Sequence, residues 1–279
     1  MTSSIHSRIT TILVHLTHKD DSAYLRYVAN LAASYQARLT ALYLSLPPVP
    51  NPYVPNYLTP DVLEEYWQKD RLQAEQKKDE LEAMAKELGV EVRWHNELGY
   101  IEPYLVYYGR YHDLIITNES KLTAVEPGTS GISAAVAIAT GRPVLRLAAE
   151  TQKGSALKRP LVAWKETREA SRAVHDALPL LQNAERVLIS VIGRDVQALR
   201  VSSQRLADYL ITHGIQPEIE VTEEQEANAG GLLLDLATQE HCDLLIMGAY
   251  GHSRLREFLF GGATRHMLHH AQLPIVFAN

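Results

Sequence analysis

Hydrophobic positions along the chain alternate between two periods. Short apolar runs rich in Ile, Leu and Val fall at residues 9–14, 38–44, 90–94, 114–116 and 143–147, and each is read as a buried strand. Between them the apolar positions recur at helical spacing. In residues 20–36 they place Tyr24, Leu25, Val28, Leu31, Ala32 and Tyr35 on one face. Thr59-Pro60-Asp61 is a helix start, with Thr as cap and Pro in the first turn, and the helix is expected to run to Leu88 and stop at Gly89. Its middle, residues 68–80, is almost wholly polar and is expected to stand in solvent. Shorter helices are expected over 100–108 and 132–140. Residues 45–58 carry Pro47, Pro48, Pro50, Pro52 and Pro55, which excludes a regular helix or a central strand there.

A polar stretch with one glycine, residues 151–159, reads as a linker, and then the pattern starts again. Strands are expected at 160–164, 186–191, 217–221, 243–247 and 274–278, with helices at 167–181, 196–212, 227–240 and 264–270. Strands alternating with helices form right-handed βαβ units and a parallel sheet covered on both faces. The halves also align as a repeat. Leu13-Val14 matches Leu161-Val162, Asp113 to Ile116 matches Asp243 to Ile246, and Pro143-Val144 matches Pro274-Ile275. The expected organisation is two tandem α/β domains, residues 1–150 and 151–279, each doubly wound around a parallel sheet.

Composition narrows the functional classes. The chain has 279 residues, 46% hydrophobic and 22% charged, with a net charge of -6. That balance argues against a nucleic-acid surface as the main function. No apolar run is long enough to span a bilayer, and the first ten residues lack an apolar signal core. The single cysteine, Cys242, excludes an intrachain disulfide and sits in an apolar pattern as a small hydrophobe. A cytoplasmic protein, with no membrane and no nucleic acid as partner, is the expectation.

The stretch richest in candidate chemistry follows the fourth apolar run of the second half. Gly248, Gly251 and Gly261 are spaced G-x2-G-x9-G, and Gly262, Ala263 and Thr264 open the next helix. Glycines let the backbone take positive φ or approach a ligand closely. A glycine-rich turn beside a helix N-terminus turns free amides and the helix dipole on one spot, which favours anions.

This pattern, after the fourth strand of a βαβ domain, resembles the universal stress protein family. Leu161 to Trp164, Arg168 to Ala173 and Ala177 to Leu181 also resemble the opening of such domains. The resemblance covers both halves, more strongly the second. It implies a Rossmann-like, adenine nucleotide alpha hydrolase-like fold of five parallel strands in the order 3-2-1-4-5. It also implies a nucleotide site at the carboxyl ends of the first and fourth strands. By carry-over, Gly248, Gly251, Gly261, Gly262, Ala263 and Thr264 contact phosphates, Met247 and Ala163 line the pocket, and Val191 lies near the base. His252 also falls within reach of phosphate.

Two positions depart from the family pattern. Gly262 stands where a Ser or Thr follows the third glycine, leaving Thr264 to supply a hydroxyl. Lys165 stands where many members carry an acid for the ribose; it either pairs with phosphate or points to solvent. The first half departs further. Asn118, Lys121, Ile132 and Ala134 replace Gly248, Gly251, Gly262 and Thr264, and Glu119 adds a repelling charge. Only Gly131 keeps a glycine, so no ATP is expected there, though apolar neighbours and the loop of Tyr53 and Tyr57 leave a different small ligand open.

The expected function is a non-enzymatic stress-response protein that binds ATP, AMP or a related adenine nucleotide in its second half. A slow ATP hydrolase or phosphotransferase on the same site and a scaffold with both sites vestigial are the alternatives. By the same resemblance the halves form an internal pseudo-dimer through their last strands, with a homodimer beyond it. No metal is expected. His266, His269 and His270 share a helix without the glutamate of a catalytic zinc motif, and neither a P-loop nor a nucleophile elbow around Ser130 or Ser133 is present.

Overall fold

The computed structural model describes residues 8–46, 59–118, 131–148, 156–249 and 262–279. The first half runs β1 (Thr11–Leu16), α1 (Ser22–Tyr35), β2 (Arg38–Ser45), α2 (Pro60–Glu87), β3 (Val92–Leu98), α3 (Ile101–Gly109), β4 (Leu114–Thr117), α4 (Ile132–Thr140) and β5 (Val144–Arg146). The second runs β6 (Pro160–Ala163), α5 (Arg168–Asp176), α6 (Leu178–Gln182), β7 (Val187–Gly193), α7 (Val196–Thr212), β8 (Pro217–Glu223), α8 (Ala229–Gln239), β9 (Leu244–Gly248), α9 (Gly262–His270) and β10 (Ile275–Ala278).

Local chemistry sets most of the helix ends. The side chains of Asp21, Thr59, Thr167 and Asp195 each accept a backbone N–H from three residues on, capping α1, α2, α5 and α7. Two expectations change. The helix expected over 167–181 breaks at Ala177 into α5 and α6, because Pro179 has no N–H for the carbonyl of His175 and its ring crowds that position. The polar middle of α2 is not wholly in solvent. Asp70 and Ala74 are buried, and Asp70 accepts the hydroxyls of Tyr43 (3.2 Å) and Ser45. A buried carboxylate persists where hydroxyl donors meet it.

The strand order is β3-β2-β1-β4-β5-β10-β9-β6-β7-β8. Within the first half this is 3-2-1-4-5, all parallel, and the second half repeats it in the opposite direction across the sheet. The halves meet where β5 and β10 pair antiparallel, with Leu145 opposite Val276 and Val144 opposite Phe277. The register reproduces the repeat, since Val14 pairs with Ile116 as Val162 pairs with Ile246.

Each face of the sheet carries one apolar layer that runs through both halves. Ile12, Val14, Val162, Ile189 and Ile246 pack against α1, α2, α5 and α7. Leu13, Ile115, Leu161, Leu188 and Leu245 pack against α3, α4, α8 and α9. Successive strand residues therefore go to opposite layers, as the period of two requires.

Candidate functional site

In the second half β6 lies between β9 and β7, so the strand order reverses there. The helices that follow β6 and β9, α5 and α9, pack on opposite faces of the sheet. Strand register places Phe277 beside Met247, Met247 beside Ala163, and Ala163 beside Ser190. This row lies on the layer of α8 and α9. Met247 is buried, Ala163 half-buried, and the buried Ser190 hydroxyl has no hydrogen-bond partner among the described residues.

Gly248, the next residue of β9, turns to the other face. A Cβ there would stand 2.7 Å from the Ala170 nitrogen and 2.7 Å from the Glu169 carbonyl carbon. Glycine at 248 thus lets the first turn of α5 lie against the strand end, whatever ligand is bound. Gly262 begins α9, is exposed, and has open space where its Cβ would be. Its missing hydroxyl is therefore not imposed by crowding. Ala263 is half-buried and Thr264 buried in the first turn of α9. Lys165 is exposed in the turn before α5, where its carbonyl accepts from the Thr167 N–H at 2.7 Å. Gly251, His252 and Gly261 lie outside the described residues, as do Glu119, Lys121, Ser130, Tyr53 and Tyr57 in the first half.

Val191 is buried in the layer of α5 and α7, on the opposite face from Ala163 and Met247. Ser190 is the β7 residue on the site's own face. Sequence reasoning missed it, although strand parity counted from Ala163 points to it.

The first half fills the same place with polar side chains. His15 stands where Ala163 stands, beside Leu42. It is buried, its Nε2 has no partner among the described residues, and burial pulls its pKa down to about 4, so the ring is neutral at pH 7. Thr117 shares a 2.7 Å hydrogen bond with Ser133 of α4. Asn118, the counterpart of Gly248, donates to Asp20 at 3.0 Å, and Asp20 also accepts from the Thr17 N–H and hydroxyl at 2.7 and 3.1 Å. Three buried residues so tie the end of β4 to the β1–α1 turn. No spacing motif marks this network, because its members are 98 residues apart.

Other candidates resolve more simply. Burial pushes the Cys242 thiol up to about 11, which keeps it protonated at neutral pH. His266 and His270 lie ring against ring at 4.4 Å, and no group of three His, Cys, Asp or Glu among the described residues is placed to hold a metal ion. A cavity of about 360 Å³ is lined by Gly262, His266 and Asp235 among others. No described helix is long and apolar enough to cross a membrane.

The sequence profile of the universal stress protein family matches residues 121–278. A universal stress protein from Archaeoglobus fulgidus DSM 4304 superposes with a TM-score of 0.73 at 14% identity, covering 96% of this chain and 97% of that one. A candidate universal stress protein from Pseudomonas aeruginosa UCBPP-PA14 gives 0.59 at 13%, covering 97% and 93%. A functionally unknown protein from Pseudomonas aeruginosa PAO1 gives 0.56 at 13%, covering 97% and 92%. At these identities the likeness is one of fold. No curated protein matches the sequence.

Proposed function

The chain belongs to the universal stress protein family, and from that premise we propose that it binds ATP, AMP or a related adenine nucleotide in its second half without turning it over. The observation that carries the reading is the row Met247, Ala163 and Ser190. Its side chains at the switch point are modest in size, and one offers an unpartnered hydroxyl. The corresponding row of the first half holds His15 and Leu42, and the Asn118–Asp20 network closes over the strand ends.

In this reading residues 151–279 form the ligand domain and residues 1–150 a degenerate copy. Free amides at the start of α9 and the glycine loop from Gly251 to Gly261 take the phosphates. Thr264 supplies the nearest hydroxyl in α9, Lys165 reaches the phosphates from the β6–α5 turn, and Ser190 meets the base or ribose. The pairing of β5 with β10 supports an internal pseudo-dimer, to which a homodimer of whole chains adds a further level. The same reading puts the protein in the cytoplasm.

Calorimetric titration of the full chain with ATP and with AMP tests this. Saturable binding is expected, weakened by at least about tenfold in Gly251→Val. Absence of binding up to millimolar nucleotide overturns the proposal in favour of a scaffold. Phosphate release that scales with protein concentration overturns the non-enzymatic part alone.

A further inference from the structure

At the amino end of the first half's sheet, on the α3 side, lies a cleft of about 210 Å³. Its floor follows from strand register. Thr11 pairs with Arg38, Thr40 with Arg93 and Leu42 with His95, so Arg38, Thr40, Arg93 and His95 share one face of β2 and β3. Tyr108, Tyr111 and His112 form the wall where α3 ends. Arg38 and Arg93 are diagonal neighbours on adjacent strands, a distance that long side chains span.

The second half shows what this arrangement normally contains. By register Arg186 stands at the place of Arg38, and Glu218 at the place of Arg93. There the guanidinium grips Glu218 with two hydrogen bonds, 2.8 and 2.7 Å, and adds Glu240 at 2.8 Å. In the first half both carboxylates are replaced by cations, Arg93 for Glu218 and Arg110 for Glu240. Arg38 meets no carboxylate among the described residues. Arg93 pairs with Glu91 at 3.4 Å, both side chains more than half exposed, and the register that pairs Leu39 with Val92 puts Glu91 across from Arg38 as well.

The other charges nearby are engaged. Glu97 accepts the Tyr108 hydroxyl at 2.6 Å, and that bond, followed by burial, pushes the phenol up to about 12. Asp113 accepts from the N–H and hydroxyl groups of Thr10 and Thr11. His112 faces the Tyr108 carbonyl with Nδ1 (2.9 Å) and the Thr40 hydroxyl with Nε2 (2.8 Å). A neutral ring satisfies both, Nδ1–H donating and Nε2 accepting, and burial lowers its pKa accordingly. It positions Thr40 rather than carrying charge.

We propose that this cleft is a second ligand site, in the first half of the sheet and apart from the row of Met247, Ala163 and Ser190, which holds a phosphate group, free or as the head of a small monoester. Two guanidinium forks against the one exposed Glu91 carboxylate leave a net positive charge, and an oxyanion shared between them takes bidentate hydrogen bonds from each. His95 stands two residues beyond Arg93 on the same face. The rings of Tyr108 and the exposed Tyr111 give an ester's organic part a surface to lie on.

The test is calorimetric titration of the full chain with inorganic phosphate and with phenyl phosphate, in a low-salt buffer free of other oxyanions. Wild type is expected to show one saturable event. Arg38→Gln removes one fork, and Arg93→Glu recreates the second half's ion pair. Each is expected to weaken binding by about tenfold or more, with circular dichroism confirming the fold of these exposed-site variants. Tighter binding of phenyl phosphate assigns the site to a monoester, and equal binding to phosphate itself. Absence of saturable binding, or unchanged affinity in both variants, overturns the proposal.

Discussion

The ends of β4 and β9 occupy equivalent places in the sheet and are closed in opposite ways. At the end of β9, Gly248 has no side chain, and the backbone of Glu169 and Ala170 lies where one would be. At the end of β4, Asn118 reaches Asp20 instead. The difference begins in the turn before the first helix. From the paired residue Val162 to the cap Thr167 is five positions, whereas from Val14 to Asp21 is seven. Two extra residues move the start of α1 back and make room for an amide and a carboxylate. The lesson is that the length of a turn decides what fills a strand end as much as the residue at that end does. A buried polar network then fills the space, because each of its groups must find a partner once water is excluded.

Breaking the network gives the largest effect. Asp20→Ala removes the acceptor of three hydrogen bonds in a buried site, from the Asn118 amide and the Thr17 N–H and hydroxyl, and should cost about 3 kcal/mol. Urea unfolding measures it; a loss under half that would mean the network is dispensable. Gly248→Ala is the converse test in the second half. The added methyl meets backbone rather than a movable side chain and should cost about 2 kcal/mol, while Asn118→Ala meets no such crowding and loses the bond to Asp20. Equal costs at the two positions would erase the contrast.

The smallest effect separates His15 from Ala163. The folded-state pKa of His15, about 4, lies below its unfolded value of 6.5. The unfolded chain therefore takes up the proton first as pH falls. Stability from this residue is complete above pH 6.5 and is lost on acidification toward pH 4. Between pH 7 and 5.5 the wild type should lose about 1 kcal/mol more than His15→Leu, read as the difference of two urea midpoint series. Parallel series would show that His15 is charged or solvated in the fold.

Much of the architecture was legible in the sequence because it depends on local chemistry. The caps Asp21, Thr59 and Thr167 announce their helices, and the apolar runs announce parallel strands buried on both faces. The break at Ala177 was also written in Pro179, yet the apolar spacing around it read as one helix. Asp70 is the harder case. Nothing in the polar run of α2 distinguishes it from its neighbours until the helix lies across β2, where Tyr43 and Ser45 carry donors. Met247 and Ala163 were expected together from the family resemblance and are paired in the sheet, while Val191 falls on the opposite face and Ser190 lies beside Ala163, as strand parity would have shown.

By itself the sequence determined the fold class and the repeat with its strand equivalences, both set by periodicity, turn residues and spacing along one chain. Only the tertiary structure decided which side chains meet across 85 or 98 positions of sequence, as in Asp243 with Lys158 or Asn118 with Asp20. It also decided that Gly248 serves the packing of α5 and that Arg38 and Arg93 share one face of β2 and β3. Those outcomes depend on strand register and on which face each residue takes, and neither exists until the sheet has formed.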